Sequence, residues 1–147
     1  NQAGHHYSGH TEIFAEKTGT KDYSMMLAHK DFRVAHVTTH VSLRKACDLV
    51  KKARVLTVIR LAHNAMLELG IEEPRIGVAG LNPHSGEGGL FGREEVDTIA
   101  PAIAQARAAG VDALGPLAPD TVFMRARNTP ITLGNLTWCW RCTTTKG

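Results

Sequence analysis

Residues 75–89 read RIGVAGLNPHSGEGG, and this stretch decides the fold class of the chain. Its first part, 75–81, is a compact apolar run of the kind found in buried strands of parallel sheets. The second part, 82–89, is so rich in Gly, Pro, Asn and Ser that it must form a loop. In open α/β sheets, ligands gather beyond the carboxyl ends of the strands. The stretch therefore predicts both a central strand and a candidate site.

Segments with helical spacing flank this strand on both sides. Apolar residues recur every three or four positions through 46–69, and Gly70 supplies the stop. A second helix is predicted at 94–109, acidic in its first turn and ended by Gly110, with a kink or late start at Pro101. Strands alternating with amphipathic helices predict an α/β domain.

The remaining elements are shorter. A helix is predicted at 11–18, ended by Gly19, and apolar, partly β-branched runs of strand length occupy 23–28 and 32–38. The run 111–117 leads to a predicted turn at 118–121. Residues 128–147 have neither helical nor strand periodicity, so we predict no element there.

Composition and charge exclude several classes of protein. With 147 residues, the chain can form one ordinary domain but not two. The net charge of +3 is carried by dispersed Lys and Arg, which argues against a nucleic-acid surface. No apolar run approaches bilayer length, no signal peptide is evident, and three cysteines favour a reducing compartment. Since the first residue is Asn, we expect the chain to begin within a longer gene.

Polar residues with chemical potential follow the predicted strands. His40 follows the run 32–38 and His84 follows 75–81, so the two imidazoles would emerge at one edge if these strands were parallel neighbours. Imidazole is the commonest ligand of Zn²⁺, but a site needs three or four ligands. Surface solvation therefore stays an open alternative, as it does for the other histidines. Asp120 is either a turn or cap residue, or a general base or cation partner.

Two other motifs carry little weight. Gly86, Gly88 and Gly92 form a G-x-G-x-x-x-G pattern that is one residue too long for a dinucleotide fingerprint, and Glu87 would repel a pyrophosphate. Cys139 and Cys142 form a C-x-x-C pair without a second pair or a redox context. We therefore assign neither a Rossmann site nor a zinc or redox module.

Four motifs in order resemble the 4-hydroxythreonine-4-phosphate dehydrogenase family across residues 1–127. They are Gly9-His10-Thr11-Glu12, Thr39-His40, the loop 82–89 with its Asn-Pro-His-x-Gly-Glu-x-Gly pattern, and Pro119-Asp120-Thr121. The loop is highly specific to that family. The family's N-terminal Gly-Asp-Pro-Ala-Gly segment and much of its C-terminal lobe have no counterpart here, so the resemblance implies an incomplete catalytic domain.

The resemblance implies a fold and a chemistry. The expected fold is α/β/α, similar to isopropylmalate dehydrogenases, in a cytoplasmic homodimer with its active site between two lobes. A divalent ion (zinc, or magnesium or cobalt) is expected on three histidines, of which His40 and His84 match two. His10 and Thr11 match substrate-contacting residues, and Asp120 matches an acidic residue suited to act as a base. NAD is the expected oxidant, although no residue here can be assigned to it.

The implied substrate is 4-phosphooxy-L-threonine, which is oxidised and decarboxylated on the route to pyridoxal 5'-phosphate. The segment AGHHYSGH at 3–10 is similar to a branch that acts on 4-phospho-D-threonate or 4-phospho-D-erythronate, which we keep as an alternative. A third possibility is a truncated fragment without activity.

The tail 128–147 departs from the family. Read in another frame from the last base of the Thr137 codon, with Arg141 encoded as CGN, the codons of Trp138 to Arg141 force Val-Leu-Ala after an initial Leu, Met or Val. The codons that follow permit Met-Tyr-His-Asp-Gln-Gly. That string matches the family motif that supplies the third histidine. We therefore interpret 128–147 as a frameshifted segment, in which the C-x-x-C pair has no function.

Overall fold

Strand β3 (Arg75–Ala79) lies at the centre of a three-stranded parallel sheet. The computed structural model describes residues 7, 9–29, 32–128 and 132–133. Strands β4 (Asp112–Leu117) and β5 (Thr132–Leu133) pair with β3 on its two sides, giving the order β4-β3-β5. The prediction of a buried central strand is confirmed, although the strand ends two residues earlier than expected.

Strands β1 (Met26–His29) and β2 (Phe32–Ala35) form a separate antiparallel pair. The idea that β2 and β3 are parallel neighbours is therefore wrong, since β3 is paired with β4 and β5. Only residues 30 and 31 separate β1 from β2, and so short a connection joins strands in the antiparallel sense, because a parallel pair needs a long crossover.

The first helices differ in continuity from the prediction. Helix α1 (His10–Thr18) ends at Gly19, whose φ of 66° is the left-handed conformation expected there. The single helix predicted at 46–69 is wrong, because α2 (Leu43–Leu49) and α3 (Lys52–Glu68) are separate. The chain leaves the helical conformation at Val50, which is buried, whereas α2 buries none of its residues. Burial of Val50 thus accounts for the break.

The later helices lie in the connections from β3 to β4 and from β4 to β5. A wide π-helical turn (Glu95–Ile99) runs into α4 (Ala100–Ala108), with Pro101 in the first turn of α4, where a missing N–H costs little. This confirms the irregularity predicted around that proline. Helix α5 (Pro119–Asn128) replaces the turn predicted at 118–121. A proline at the start of a helix and an acidic residue in its first turn both favour this outcome.

Helices cover both faces of the parallel sheet. Ile76 and Val78 of β3 point into the main core with α3 and α4, whereas Ala79 packs with Val122 of α5 in a second cluster. Because side chains alternate across a strand, the two clusters lie on opposite faces. The α/β prediction is confirmed, and the isopropylmalate-dehydrogenase likeness stays a prediction.

Two further sequence predictions concern the segment 128–147 and the absence of a membrane-spanning run. Strand β5 lies within 128–147, where no element was predicted, because two residues are too short to carry a period. Asn128 ends α5, and residues 129–131 and 134–147 lie outside the described residues. None of the helices that the structure describes has the length and apolarity needed to cross a bilayer.

Candidate functional site

His84 and Asp120 meet beyond the carboxyl ends of two neighbouring parallel strands. His84 lies in the loop after β3, Asp120 is the second residue of the helix after β4, and His84 Nδ1 is 3.9 Å from Asp120 Oδ2. This is where an open α/β sheet collects its ligand-binding groups. Both side chains are well exposed, at 61% and 45%, so the pair can reach a ligand but adds little stability.

The loop 82–89, hereafter the His84 loop, has an unusual backbone. Ser85 and Glu87 both have positive φ, at 57° and 42°, and the glycines at 86, 88 and 89 share that sign. Side chains larger than Gly rarely occupy this region, and each such residue costs on the order of 1–3 kcal/mol. The loop predicted from its composition is confirmed, and its shape must be held by the surrounding structure.

A buried carboxylate that the sequence analysis did not select lies beneath this loop. Glu95 is 2% exposed, its Oε1 accepts the Asn82 N–H at 2.8 Å, and Asn82 Oδ1 accepts the His84 N–H at 2.9 Å. The second oxygen, Glu95 Oε2, is buried and has no hydrogen-bond partner among the described residues. From the sequence, Glu95 is only one of the acidic residues in the first turn of a predicted helix. No local signal distinguishes it from Glu94, which is exposed.

A second histidine–carboxylate pair lies at the N-terminus of α1. His40 Nδ1 is 3.5 Å from Glu12 Oε1, and the other oxygen of Glu12 is buried without a hydrogen-bond partner in the described part of the chain. A Cβ on Gly9 would overlap Cε1 of His40, so a larger residue would require the exposed imidazole to move. The motifs at 9–12 and 39–40, which are far apart in sequence, thus form one cluster.

Helix α3 anchors the segment that precedes His40. The Arg54 guanidinium donates hydrogen bonds to the carbonyl oxygens of Val37 at 3.0 Å and Tyr23 at 2.9 Å. These contacts anchor the chain that leads from β2 to His40, whose φ of 55° is again positive. Among the described residues, the non-glycine residues with positive φ are His40, Ser85 and Glu87. All three lie in the predicted site motifs.

The two predicted substrate residues begin α1. His10 is the first residue of the helix and is exposed, whereas Thr11 is half-buried. Thr11 lines an open groove of about 340 Å³ between α1 and residues 20–26, together with Phe14, Tyr23 and Met26. First-turn N–H groups have no partner within a helix, so this end favours an anionic group. Neither His40 nor His84 lines that groove.

The donor chemistry fits a divalent ion, but the described residues do not complete a site. In metal centres, a ligating imidazole usually points its other nitrogen at a carboxylate. His40 and His84 both do so through Nδ1, which leaves each Nε2 available as a ligand. No group of three His, Cys, Asp or Glu able to hold a metal ion occurs among residues 7, 9–29, 32–128 and 132–133. The metal ligands stay a prediction.

Polar groups at adjacent strand ends of an open sheet are the arrangement in which α/β proteins bind ligands. The profile of the pyridoxal phosphate biosynthetic protein PdxA matches residues 1–133, and the chain belongs to this family. This confirms the resemblance found in the sequence, and the match extends past the predicted boundary at 128.

Similar proteins carry two different names. The chain is 52% identical over 124 residues to the D-threonate 4-phosphate dehydrogenase of Salmonella typhimurium, covering 84% of this chain and 38% of that protein. It is 56% identical over 125 residues to the 4-hydroxythreonine-4-phosphate dehydrogenase of Beijerinckia indica, covering 85% and 37%.

A solved structure of the family has the same fold. The 4-hydroxythreonine-4-phosphate dehydrogenase from Klebsiella pneumoniae superposes with a TM-score of 0.84 at 47% identity, covering 91% of this chain and 40% of that one. The chain thus spans somewhat more than a third of the length of the curated relatives it matches.

Proposed function

We propose that this chain is part of an NAD-dependent and divalent-metal-dependent dehydrogenase that oxidises and decarboxylates 4-phosphooxy-L-threonine. The observation that carries the proposal is the approach of His84 and Asp120 beyond the ends of β3 and β4, in a chain of the PdxA family. The names of two relatives, both dehydrogenases of 4-phosphorylated threonine compounds, support this substrate class.

His40 and His84 would hold the ion through Nε2. Their Nδ1 atoms lie 3.5 Å from Glu12 and 3.9 Å from Asp120, longer than a hydrogen bond. If these carboxylates close on the imidazoles when the ion binds, they would fix the tautomer and the orientation of each ligand. When bound, the ion would polarise the substrate's hydroxyl oxygen as a Lewis acid and favour its ionised form. NAD, when bound, would accept the hydride from the carbon that carries this hydroxyl, and the resulting 3-keto acid would lose CO₂.

Asp120 has two possible roles in this chemistry. As a general base it would take the hydroxyl proton at a carboxylate oxygen, a role that contributes about 10²–10⁴-fold to the rate. As a positioning residue it would act through the orientation of His84. Its high exposure leaves it open to substrate, which favours the base.

His10 and Thr11 would bind an anionic group of the substrate. Their backbone N–H groups lie in the first turn of α1, and a helix N-terminus stabilises a carboxylate or phosphate. The Thr11 hydroxyl adds a donor at the wall of the groove beside α1. This places substrate binding at the same helix end that carries Glu12 and its contact with His40.

The alternative substrate is 4-phospho-D-threonate or 4-phospho-D-erythronate, handled by the same chemistry. The segment 3–10 favours this branch, whereas identities of 52% and 56% to the two kinds of relative do not separate them. We also propose that the whole protein is a cytoplasmic homodimer, as the resemblance implies. The remaining alternative is that this polypeptide alone has no activity, since it supplies two of three ligands.

The deciding experiment measures NADH formation and CO₂ release with each substrate and added Zn²⁺, Mg²⁺ or Co²⁺. Two proteins are compared, namely this chain and a frame-corrected gene product that contains it. His84→Ala is the test variant and His29→Ala the matched control, because His29 is exposed on β1 outside the proposed site. We expect the gene product to turn over and His84→Ala to abolish turnover. Turnover that survives His84→Ala would refute the proposed metal site, and turnover by this chain alone would refute the inactive alternative.

A further inference from the structure

The carboxylate of Glu95 is buried, and only one of its two oxygens has a hydrogen-bond partner among the described residues. Oε1 accepts the Asn82 N–H at 2.8 Å, but Oε2 is enclosed and has no hydrogen-bond partner among the described residues. A buried polar atom without a partner is unfavourable, and an apolar side chain would avoid that penalty. Core packing alone therefore does not explain a glutamate at this position.

Glycines on both sides of the loop make room for this carboxylate. A Cβ on Gly80 would come within 2.9 Å of Glu95 Oε1, and one on Gly86 within 2.7 Å of Glu95 Oε2. Gly80 has an ordinary φ, and a Cβ there would come closer still to the Oγ and Cα of Ser85, so its lack of a side chain makes room for the loop as well as for the carboxylate. The loop thus wraps around the carboxylate at both ends.

A short relay connects Glu95 to His84. Glu95 accepts from the Asn82 backbone, and the Asn82 side chain accepts from the His84 backbone at 2.9 Å. Next to this relay, Ser85 and Glu87 hold strained positive-φ conformations that persist only where the surroundings enforce them. The one buried side chain that hydrogen-bonds the start of this loop is, among the described residues, that of Glu95.

We propose that Glu95 is a positioning residue that fixes the shape of the His84 loop and, through Asn82, the place of His84. Its relevance to catalysis rests on the proposed function, in which His84 is a metal ligand. The relay itself is independent of any ion. Glu95 touches no substrate in this scheme and acts only through the loop.

The test measures backbone amide hydrogen exchange in variants of the chain. Glu95→Met keeps the length of the side chain but has no acceptor, and Glu95→Gln keeps an oxygen that can accept from Asn82. Glu94→Met is the matched control, since Glu94 is exposed on the same turn. In Glu95→Met we expect the Asn82 and His84 amides to exchange about tenfold faster or more, relative to Val78 of β3. In Glu95→Gln and Glu94→Met, the same ratio should stay within about threefold of the unsubstituted chain.

Two outcomes overturn the proposal. One is equal acceleration at Val78 and in the loop, which would mark a general packing role, and the other is no acceleration at all. If Glu95→Met does not fold, Glu95→Asp replaces it, because the shorter side chain withdraws the carboxylate from the Asn82 N–H without removing it. Local acceleration in Glu95→Asp supports the proposal, and a uniform or absent effect overturns it.

Zn²⁺ titration of the same variants separates this proposal from the proposed function. Orientation of a ligand by its neighbours is typically worth about 10–100-fold in metal affinity, so Glu95→Met should weaken binding by about tenfold while Glu94→Met does not. If His84→Ala leaves Zn²⁺ affinity unchanged, the proposed metal site fails. The amide exchange would still decide the role of Glu95.

Discussion

Nδ1 of His84 lies 3.9 Å from Oδ2 of Asp120, across the ends of two strands that run parallel and adjacent. The register of β3 and β4, with Ala79 opposite Leu117, brings the two following segments to the same edge. The rule that parallel neighbours deliver their polar residues to one edge therefore holds for this pair. The same rule does not bring His40 and His84 together, because the strands that precede them, β2 and β3, belong to different sheets.

The first prediction separates the two roles of Asp120. Asp120→Asn should change the free energy of unfolding by no more than about 0.5 kcal/mol, because the side chain is exposed and its partner is distant. Turnover of the gene product that contains the chain should fall about 10²–10⁴-fold if Asp120 is the base. Urea unfolding and initial rates measure the two quantities. A loss below tenfold would contradict both the base and the orienting role.

The second prediction concerns the approach of Gly9 to His40. Gly9→Ala would place a methyl group against Cε1 of His40 and 3.0 Å from Glu12 Oε2. Because the exposed imidazole must leave its preferred rotamer, we expect a loss of about 0.5–1.5 kcal/mol. Chemical denaturation should show this loss of stability. The control is the double variant with His40→Ala, which removes the obstructing ring and should recover much of the loss. Additive losses in the double variant would mean that the ring is not the cause.

The third prediction is a pH dependence from His36, where burial lowers the pKa of the imidazole. A base whose pKa is depressed by folding binds protons more readily in the unfolded chain, so its contribution to stability is complete above the unfolded pKa of about 6.5. That contribution is lost as the pH falls from about 6.5 toward the lower folded value. His36→Gln should therefore lose less stability on acidification than the unsubstituted chain.

The matched control for His36→Gln is His29→Gln, because His29 is an exposed histidine on β1. Thermal unfolding between about pH 7.5 and about pH 5.5, one unit on each side of an ordinary histidine pKa, compares how steeply the stability of each variant falls. We expect the His29 variant to keep the full acid sensitivity. Equal slopes in the His36 variant and the unsubstituted chain would contradict the burial effect.

The fourth prediction tests the packing of α3. Met66 of α3 is 0% exposed, whereas Leu69, the residue that follows the end of this helix, is 58% exposed. Met66→Ala should cost about 2–5 kcal/mol in the free energy of unfolding, because it removes buried methylenes and leaves a cavity. Leu69→Ala, the matched control, should cost about 0.5 kcal/mol or less. Comparable losses would mean that α3 does not pack as described.

Local pattern was sufficient for the central strand, the glycine that ends α1 and the polar loop of His84. Each of these depends on residues adjacent in sequence, such as the apolar run before Gly80 and the left-handed φ at Gly19. Strand pairing depends on residues that are far apart in sequence, which is why the predicted parallel pairing of β2 with β3 was wrong. The apolar period likewise continues through Val50, and only its burial in the core reveals the break between α2 and α3.

Glu95 shows the same limit within the site. In the sequence it stands beside Arg93 and Glu94, two exposed residues, and a charged run of this kind is normally a solvated face. What distinguishes Glu95 is the approach of Gly80 and Gly86, which no local pattern predicts. By contrast, His40 and His84 were selected from the motifs, although the carboxylate facing His40 was not.

The last prediction concerns the frame of the tail, because it determines whether the chain carries two or three of the proposed imidazole ligands. Resequencing the DNA across 128–147 should locate a missing or extra base before Thr137, after which the segment reads Met-Tyr-His-Asp-Gln-Gly. Correcting that base in an expression plasmid should raise Zn²⁺ affinity above that of the present chain, since a third histidine completes a three-ligand site. His40→Ala should then weaken binding in the corrected protein more than His29→Ala, the exposed control. An intact mass that matches the present tail, together with an uninterrupted reading frame in the DNA, would refute the sequencing-error interpretation and leave the two-ligand chain as the natural product.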